Sequence, residues 1–439
     1  MVERETFAIL FYLRKDKALR FAITLFIIIL FTGCINDSSE NLKKNIAGSV
    51  ITEDLSPLDS LLEDYVNKNK IQGGVALVSS KGEIVYHNAV GYSNIEDPED
   101  ISLDDIFRIA SMTKPVTVAG AMMLYDKGKF ELDDPVSKYL PEFSDSEILQ
   151  SIDMSDSSYT SYPAKEQMTV KHLLTHTSGS FYGYGNDTLW ALYIKNGITE
   201  GFEERDILLA DNISKLARMP LLHEPGEKFT YGLSIDILGR LIEIWSGQSL
   251  DKFLEDNLFN PLGMNNTYFY LPEDKYDRLV SVCKSAGDGI EPTDYPLVNY
   301  PVSGARKYLS GGGDLSCTAY DYYLFCQMML NRGHLKGVKI LEPGTVDLIT
   351  STQFERGDKD MGLGVSVLSE KTSVKDTRSI GSYSWGGFFG TTFWIDPAEE
   401  LIAILMLQMY PFDSWEIQTQ FENIIYESLE IDSALLPKP

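Results

Sequence analysis

Serine becomes a usable nucleophile only when a base stands within hydrogen-bond reach. A serine three residues ahead of a lysine meets that need where a helix begins, because residues i and i+3 share a face. The spacing occurs three times, at Ser111/Lys114, Ser249/Lys252 and Ser281/Lys284. Ser249 follows Ser246-Gly247 between two helical patterns and reads as an N-cap, with Asp251 beside Lys252 as a ready ion partner. Ser281 runs into Gly287, Asp288 and Gly289, which favour a loop. Only Ser111 sits where a strand-like stretch, 106–110, meets an apolar helical run. Unpaired N–H groups and the positive dipole end of such a helix favour a developing alkoxide. Pro115 works against a regular first turn, because it deprives the Ser111 carbonyl of its partner and disfavours α geometry at Lys114. Locally, a serine N-cap beside a surface lysine would give the same residues, so the company the motif keeps must decide.

Other residues of chemical type lead less far. His172 and His176 are four apart and would share a helix face as a metal pair, but no glutamate follows the first as in H-E-x-x-H and no third ligand is evident. Both read as structural, and neither a metal nor a cofactor is expected. The Gly-x-Ser-x-Gly elbow of α/β-hydrolases does not occur. Gly311 to Gly313 lack the Lys-Ser/Thr ending of a phosphate loop and read as a tight backbone turn. Cys34, Cys283, Cys317 and Cys326 make no C-x-x-C pair and no zinc spacing.

These side chains need a frame. Leu58, Leu61, Leu62 and Val66 recur at helical spacing, and 74–80, Lys81-Gly82 and 83–87 read as a β-hairpin. Near the other end, 390–395 and 401–409 are strand-like around Asp396-Pro397, and 415–429 has the period of a closing helix. Strands from both chain ends are expected to meet in one antiparallel sheet. Between them, helical patterns at 116–126, 235–245 and 320–330 are separated by polar or Gly-rich stretches such as 145–165. That middle predicts a helical lobe facing the sheet.

With 44% hydrophobic and 23% charged residues over 439 positions, the composition is globular and too long for one small module. The 38 basic against 64 acidic residues give −26, with the acid spread along the chain, which argues against nucleic-acid partners. Arg14, Lys15, Lys17 and Arg20 precede an apolar run over 21–31, which meets Thr32, Gly33 and Cys34 in the order of a secretory signal. Eleven residues fall short of the roughly 20 a spanning helix needs. The small pair before cysteine resembles a bacterial lipoprotein signal, which implies that Cys34 carries the lipid and leaves at most one disulfide among the other cysteines. The other reading is an uncleaved anchor helix extending back through Leu19. Either places the rest of the chain outside the cytoplasm, held to a membrane at the cell envelope, and the polar stretch after Cys34 reads as a tether. The expected division is therefore signal 1–33, tether 34–53 and catalytic domain 54–432.

Ser-Met-Thr-Lys-Pro-Val at 111–116 closely resembles the nucleophile motif of β-lactamase-related serine hydrolases. Further segments match in the family's order: His-Leu-Leu-Thr-His-Thr-Ser-Gly at 172–179, Pro-Gly-Glu-Lys-Phe-Thr-Tyr at 225–231, Gly-Gly-Gly-Asp-Leu-Ser at 311–316 and Ser-Trp-Gly-Gly at 384–387. The resemblance covers roughly residues 55–430 and implies an α/β fold of the β-lactamase/transpeptidase type. It also implies that Ser111 is acylated, that Lys114 is its base or tunes that base, and that Tyr231 carries the proton. A tyrosine base needs a cationic neighbour to favour its anion, and Lys114 is the candidate. The backbone N–H of Ser111 and that of Phe388, just past Gly386-Gly387, would form the oxyanion hole.

Two departures narrow the activity. β-Lactamases and penicillin-binding proteins place asparagine two positions after the tyrosine or serine of the second motif, where this chain has Leu233. Their third motif begins with a cation or histidine that receives the substrate carboxylate, where this chain has Trp385. Both changes resemble family VIII carboxylesterases, so the first expectation is an esterase acting on small acyl esters. A D-amino-acid peptidase or β-lactamase acting on peptide-like substrates stands second. The rival of another class is a non-catalytic lipoprotein that binds cell-wall peptides; such a module needs none of Ser111, Lys114 and Tyr231.

Overall fold

Seven strands pair antiparallel in the order Asp360–Met361, Ser366–Val367, Tyr383–Gly386, Thr392–Asp396, Leu401–Met406, Gly73–Ser80 and Glu83–Gly91. The join between the chain's two ends is the ladder from Leu401↔Ser80 to Met406↔Val75. Every residue of these two central strands is buried. Their near-continuous apolar runs are what strands covered on both faces require. The computed structural model that shows this describes residues 50–430 apart from 52–53, 154–155, 185, 288, 296–297, 358 and 374–375. The expected signal sequence and Cys34 lie outside the described residues, as does most of the expected tether.

Alternation along the strands sends Ala76, Val78, Ala403 and Leu405 to one face and Val75, Leu77, Ile402 and Ile404 to the other. The first face is covered by helices from the two chain ends. Pro57–Asn67 starts with proline at its first turn and buries Leu58, Leu61, Leu62 and Tyr65, an i, i+3, i+4, i+7 stripe. Trp415–Glu427 adds Ile417, Phe421 and Ile425. Burying each such side chain stabilises by about 1.5–3 kcal/mol. The other face carries Ala319–Leu330 and, beyond it, the lobe built on Thr113–Asp126 and Ser234–Ser246. Every residue from 113 to 124 is buried, so the helix that opens next to Ser111 is central and enclosed all round.

The architecture is thus the antiparallel sheet from both chain ends, flanked by helices and facing a helical lobe. Three expectations change. The polar stretch 145–165 holds a hairpin, Glu147–Ile152 with Tyr159–Pro163, whose side chains are mostly exposed apart from Ile148. A strand pair that buries so little leaves no apolar alternation to read. Ser281 leads into a second hairpin, Cys283–Ala286 with Gly289–Pro292, in which Gly287 lies in the turn. Ser249 takes the N-cap position of Leu250–Leu254, but its hydroxyl donates to Asp251 at 2.5 Å, and Lys252 pairs with Asp256 at 2.7 Å. Cys283, Cys317 and Cys326 are buried free thiols.

Candidate active site

The strand expected before Ser111 is only Phe107–Arg108, because Ala110 turns the chain with φ of 43° into a 3-10 turn, Ala110–Met112. An alanine at positive φ is costly and persists only where its surroundings impose it; here Val282 and Phe389 pack against it. Helix Thr113–Asp126 follows. The tight turn answers the difficulty raised by Pro115: a 3-10 start takes its bonds from i to i+3, and Thr113 N–H donates to the Ala110 carbonyl.

Lys114 is wholly buried and satisfied. Its ammonium donates to Ser111 Oγ at 3.1 Å, to the Tyr182 hydroxyl at 3.1 Å and to the Gly312 carbonyl at 2.7 Å, which uses all three donors. The Tyr231 hydroxyl donates to Ser111 Oγ at 2.7 Å, and Lys114 Nζ stands 4.6 Å from the Tyr231 ring centre. The three side chains singled out by sequence therefore meet at one oxygen.

Several elements converge to hold them. The Ser234–Ser246 helix brings Asp236 behind Lys114, where Asp236 Oδ1 accepts from Ser310 Oγ at 2.5 Å. Burial lifts this carboxyl to about 6, against the opposing pull of Ser310 and Lys114. A β-carbon on Gly312 would lie 2.4 Å from Asp236 Oδ2, so only glycine brings the 312 carbonyl to the lysine past this aspartate. Asp314 accepts from the backbone of Phe202 at 2.9 Å and of Ser310 at 3.1 Å, and burial pushes it up to about 8.

Around Tyr231 the neighbours are aromatic. His176 lies with its ring centre 5.3 Å away and stacks on Trp385 at 5.8 Å with planes 9° apart. Burial, with the Lys114 and Arg356 charges behind it, depresses His176 to about 3 and keeps it neutral. His172 instead forms a capping box with Thr169.

The third motif reaches the serine through Gly387. A β-carbon there would stand 2.0 Å from Thr391 Oγ1 and 2.5 Å from the Ile109 carbonyl, so the strand end presses directly on the serine's turn. Phe388 follows and shares a cavity of about 430 Å³ with Ser111. Among the described residues, the Phe388 N–H has no acceptor.

Two expected substrate contacts lie elsewhere. Leu233 is fully buried in the core and does not line this cavity; it precedes the Ser234–Ser246 helix, and apolar burial explains its type. Trp385 also stays off the cavity wall, because its indole is taken up by the stack with His176 and by Tyr231, 5.9 Å away. Gly386 is exposed beside it. Sequence reasoning missed Tyr182 and the Gly312 carbonyl as partners of Lys114, and Asp236 as the buried carboxyl on which the Lys114 charge acts. Their signals were present but mute: Tyr182 is one of 24 tyrosines, and Asp236 one of 64 acidic residues.

Residues 58–420 match the Beta-lactamase family model. Esterase EstB of Burkholderia gladioli is 29% identical over 373 residues, covering 80% of this chain and 89% of its own length. An uncharacterized protein of Mycobacterium tuberculosis is 30% identical over 367 residues, with the same coverage of 80% and 89%. Among solved structures, EstCE1, described as a hydrolase with promiscuous acyltransferase activity, superposes with a TM-score of 0.73 at 25% identity, covering 85% of this chain and 98% of its own. The simvastatin synthase LovD of Aspergillus terreus shares the fold, with a TM-score of 0.73 at 24% identity and coverage of 85% and 98%.

Proposed function

The chain belongs to the Beta-lactamase family, and we propose that within it this protein is a carboxylesterase that cleaves short acyl esters through an acyl-enzyme on Ser111. The observation that carries the proposal is Ser111 Oγ bonded at once to Tyr231 at 2.7 Å and Lys114 at 3.1 Å, at the wall of a cavity rich in aromatic rings. In this reading Ser111 Oγ attacks the ester carbonyl as the Ser111–Tyr231 hydrogen bond reverses: the Tyr231 oxygen accepts the serine proton and gives up its own hydroxyl proton toward the leaving alcohol oxygen. The fixed ammonium of Lys114 favours the anionic oxygens along that path at no cost in reorganisation. Charge on the former carbonyl oxygen is met by the N–H groups of Ser111 and Phe388. Collapse expels the alcohol oxygen, which takes the proton from Tyr231. Water then attacks the acyl-enzyme by the same route in reverse and frees the acid and Ser111.

Ester rather than amide cleavage is supported by what is lacking around this centre. An amide nitrogen must be protonated and its flanking amide held, yet Leu233 offers no hydrogen bond and is buried in the core. Trp385 is neutral and cannot receive the carboxylate that β-lactams and D-alanine peptides carry. The esterase relative EstB points the same way. The same proposal places the enzyme at the cell envelope, anchored by a lipid on Cys34, which mass spectrometry of the mature amino terminus would detect. The activity is tested by kcat/KM for a p-nitrophenyl acyl ester series beside nitrocefin and a D-Ala-D-Ala peptide on one preparation. The esters are expected to be cleaved far better; preference for either of the others overturns the esterase reading.

A further inference from the structure

We propose that the cavity beside Ser111 selects esters that carry a cationic, ammonium-type group, a statement that rests on the esterase reading of Ser111. The cavity walls include Tyr184, Trp190, Phe202, Tyr295, Phe388 and Tyr410. Rings of this kind attract an ammonium through their negative faces and gain most where water is excluded. Three carboxylates share the same lining, Asp187, Glu200 and Glu203, against one cation, Arg205. Arg205 is already spent on Glu203, with Nε–Oε1 at 2.9 Å and a second nitrogen on Oε2 at 2.6 Å. Among the described residues, Asp187 and Glu200 therefore have no counter-charge. The chain's net charge of −26 adds a field that draws cations toward it.

Glu200 is the residue to which the selection is assigned. Its carboxylate clamps the backbone N–H groups of Gly183 and, at 3.2 Å, Tyr184, so it is fixed in the wall. Burial lifts it to about 7, while those two N–H groups oppose the shift and Asp236 adds to it. The phenols that face it, Tyr182, Tyr184, Tyr193 and Tyr295, all have their ionisation pushed above the usual range and stay neutral between pH 6 and 8. The free site thus contains a carboxylate that lacks only a cation, and binding one favours its ionised form. Deprotonation and cation binding must therefore promote each other.

Two isosteric pairs test this. The first is butyrylcholine against 3,3-dimethylbutyl butyrate, which places the charge on the alcohol. The second is the p-nitrophenyl esters of 4-(trimethylammonio)butanoate and 5,5-dimethylhexanoate, which place it on the acyl group. The quantity read is the cation-to-neutral ratio of kcat/KM in the wild type divided by that in Glu200→Gln, which cancels intrinsic ester reactivity. Because both proteins keep the aromatic rings, the double ratio reads the carboxylate alone, and at least one pair is expected to give about tenfold or more. In the wild type alone, the ratio for that pair should rise as pH passes upward through about 7, a readout that holds even where the variant folds poorly. Neutral esters cleaved normally, with both double ratios near one and no pH trend, would overturn the cationic selection and leave the esterase reading intact. No turnover of any ester, charged or neutral, would sink both.

Discussion

The central sheet strands and the charged groups behind Ser111 are equally buried, and burial does opposite things in them. In Leu401–Met406 and the facing Gly73–Ser80 strand, nearly all that is enclosed is apolar side chain and paired backbone, so exclusion of water is a direct source of stability. At the start of the Thr113–Asp126 helix, the same exclusion encloses Lys114, Asp236 and Asp314. There the cost of holding charge out of water appears as two carboxyls displaced upward, to about 6 and about 8. Burial holds the fold in one region and fixes the Lys114 ammonium against Ser111 Oγ in the other.

The largest effect is expected at the serine centre: Tyr231→Phe keeps the ring among His176, Phe229 and Trp385 and removes the proton carrier. Turnover should fall by about 10²–10⁴-fold with Tm little changed; near-normal turnover would leave Lys114 as the sole base. In the sheet the order reverses. Ile404→Ala, at a fully buried position paired with Leu77, should cost about 2–5 kcal/mol in urea unfolding while kcat of the folded enzyme stays within a small factor of the wild type. A large loss of kcat at unchanged stability would show that the two regions are not separable in this way.

A smaller effect sharpens the distinction through pH. Asp314 is raised from 3.8 to about 8 by burial, so the folded state holds its proton more tightly than the unfolded chain does. Its contribution to stability is then fully present below about pH 4 and is lost as pH rises toward 8, with a slope of up to about 1.4 kcal/mol per pH unit. Asp314→Asn removes that slope. The stability difference between wild type and variant, measured in urea at pH 5 and pH 8, should narrow at the higher pH; a constant difference would mean that Asp314 is not held neutral.

The same two regions explain what could be read from sequence. The sheet was legible because strands buried on both faces must be apolar throughout, and 74–80 and 401–406 are nearly so. Ser111, Lys114 and Tyr231 were legible through their motifs and their place at a helix start. What stayed hidden depends on contacts between distant segments: the Gly312 carbonyl and the Tyr182 hydroxyl meet Lys114 across separations that no local pattern records. The 147–163 hairpin stayed hidden because it buries too little to impose a period. Leu233 and Trp385 were identified as departures in residue type, but a sequence does not say which way a side chain faces. One turned into the core and the other into a stack on His176.

The central claim is that Ser111 is the nucleophile held by Lys114 and Tyr231, and covalent labelling reads this most directly. The protein is treated with a fluorophosphonate probe, digested and mapped by mass spectrometry, beside Ser111→Ala shown to unfold at the same temperature. The predicted result is a single adduct on Ser111 that is absent from the variant, with ester turnover abolished in parallel. An adduct on another residue, or labelling and turnover that persist in Ser111→Ala, would contradict the account.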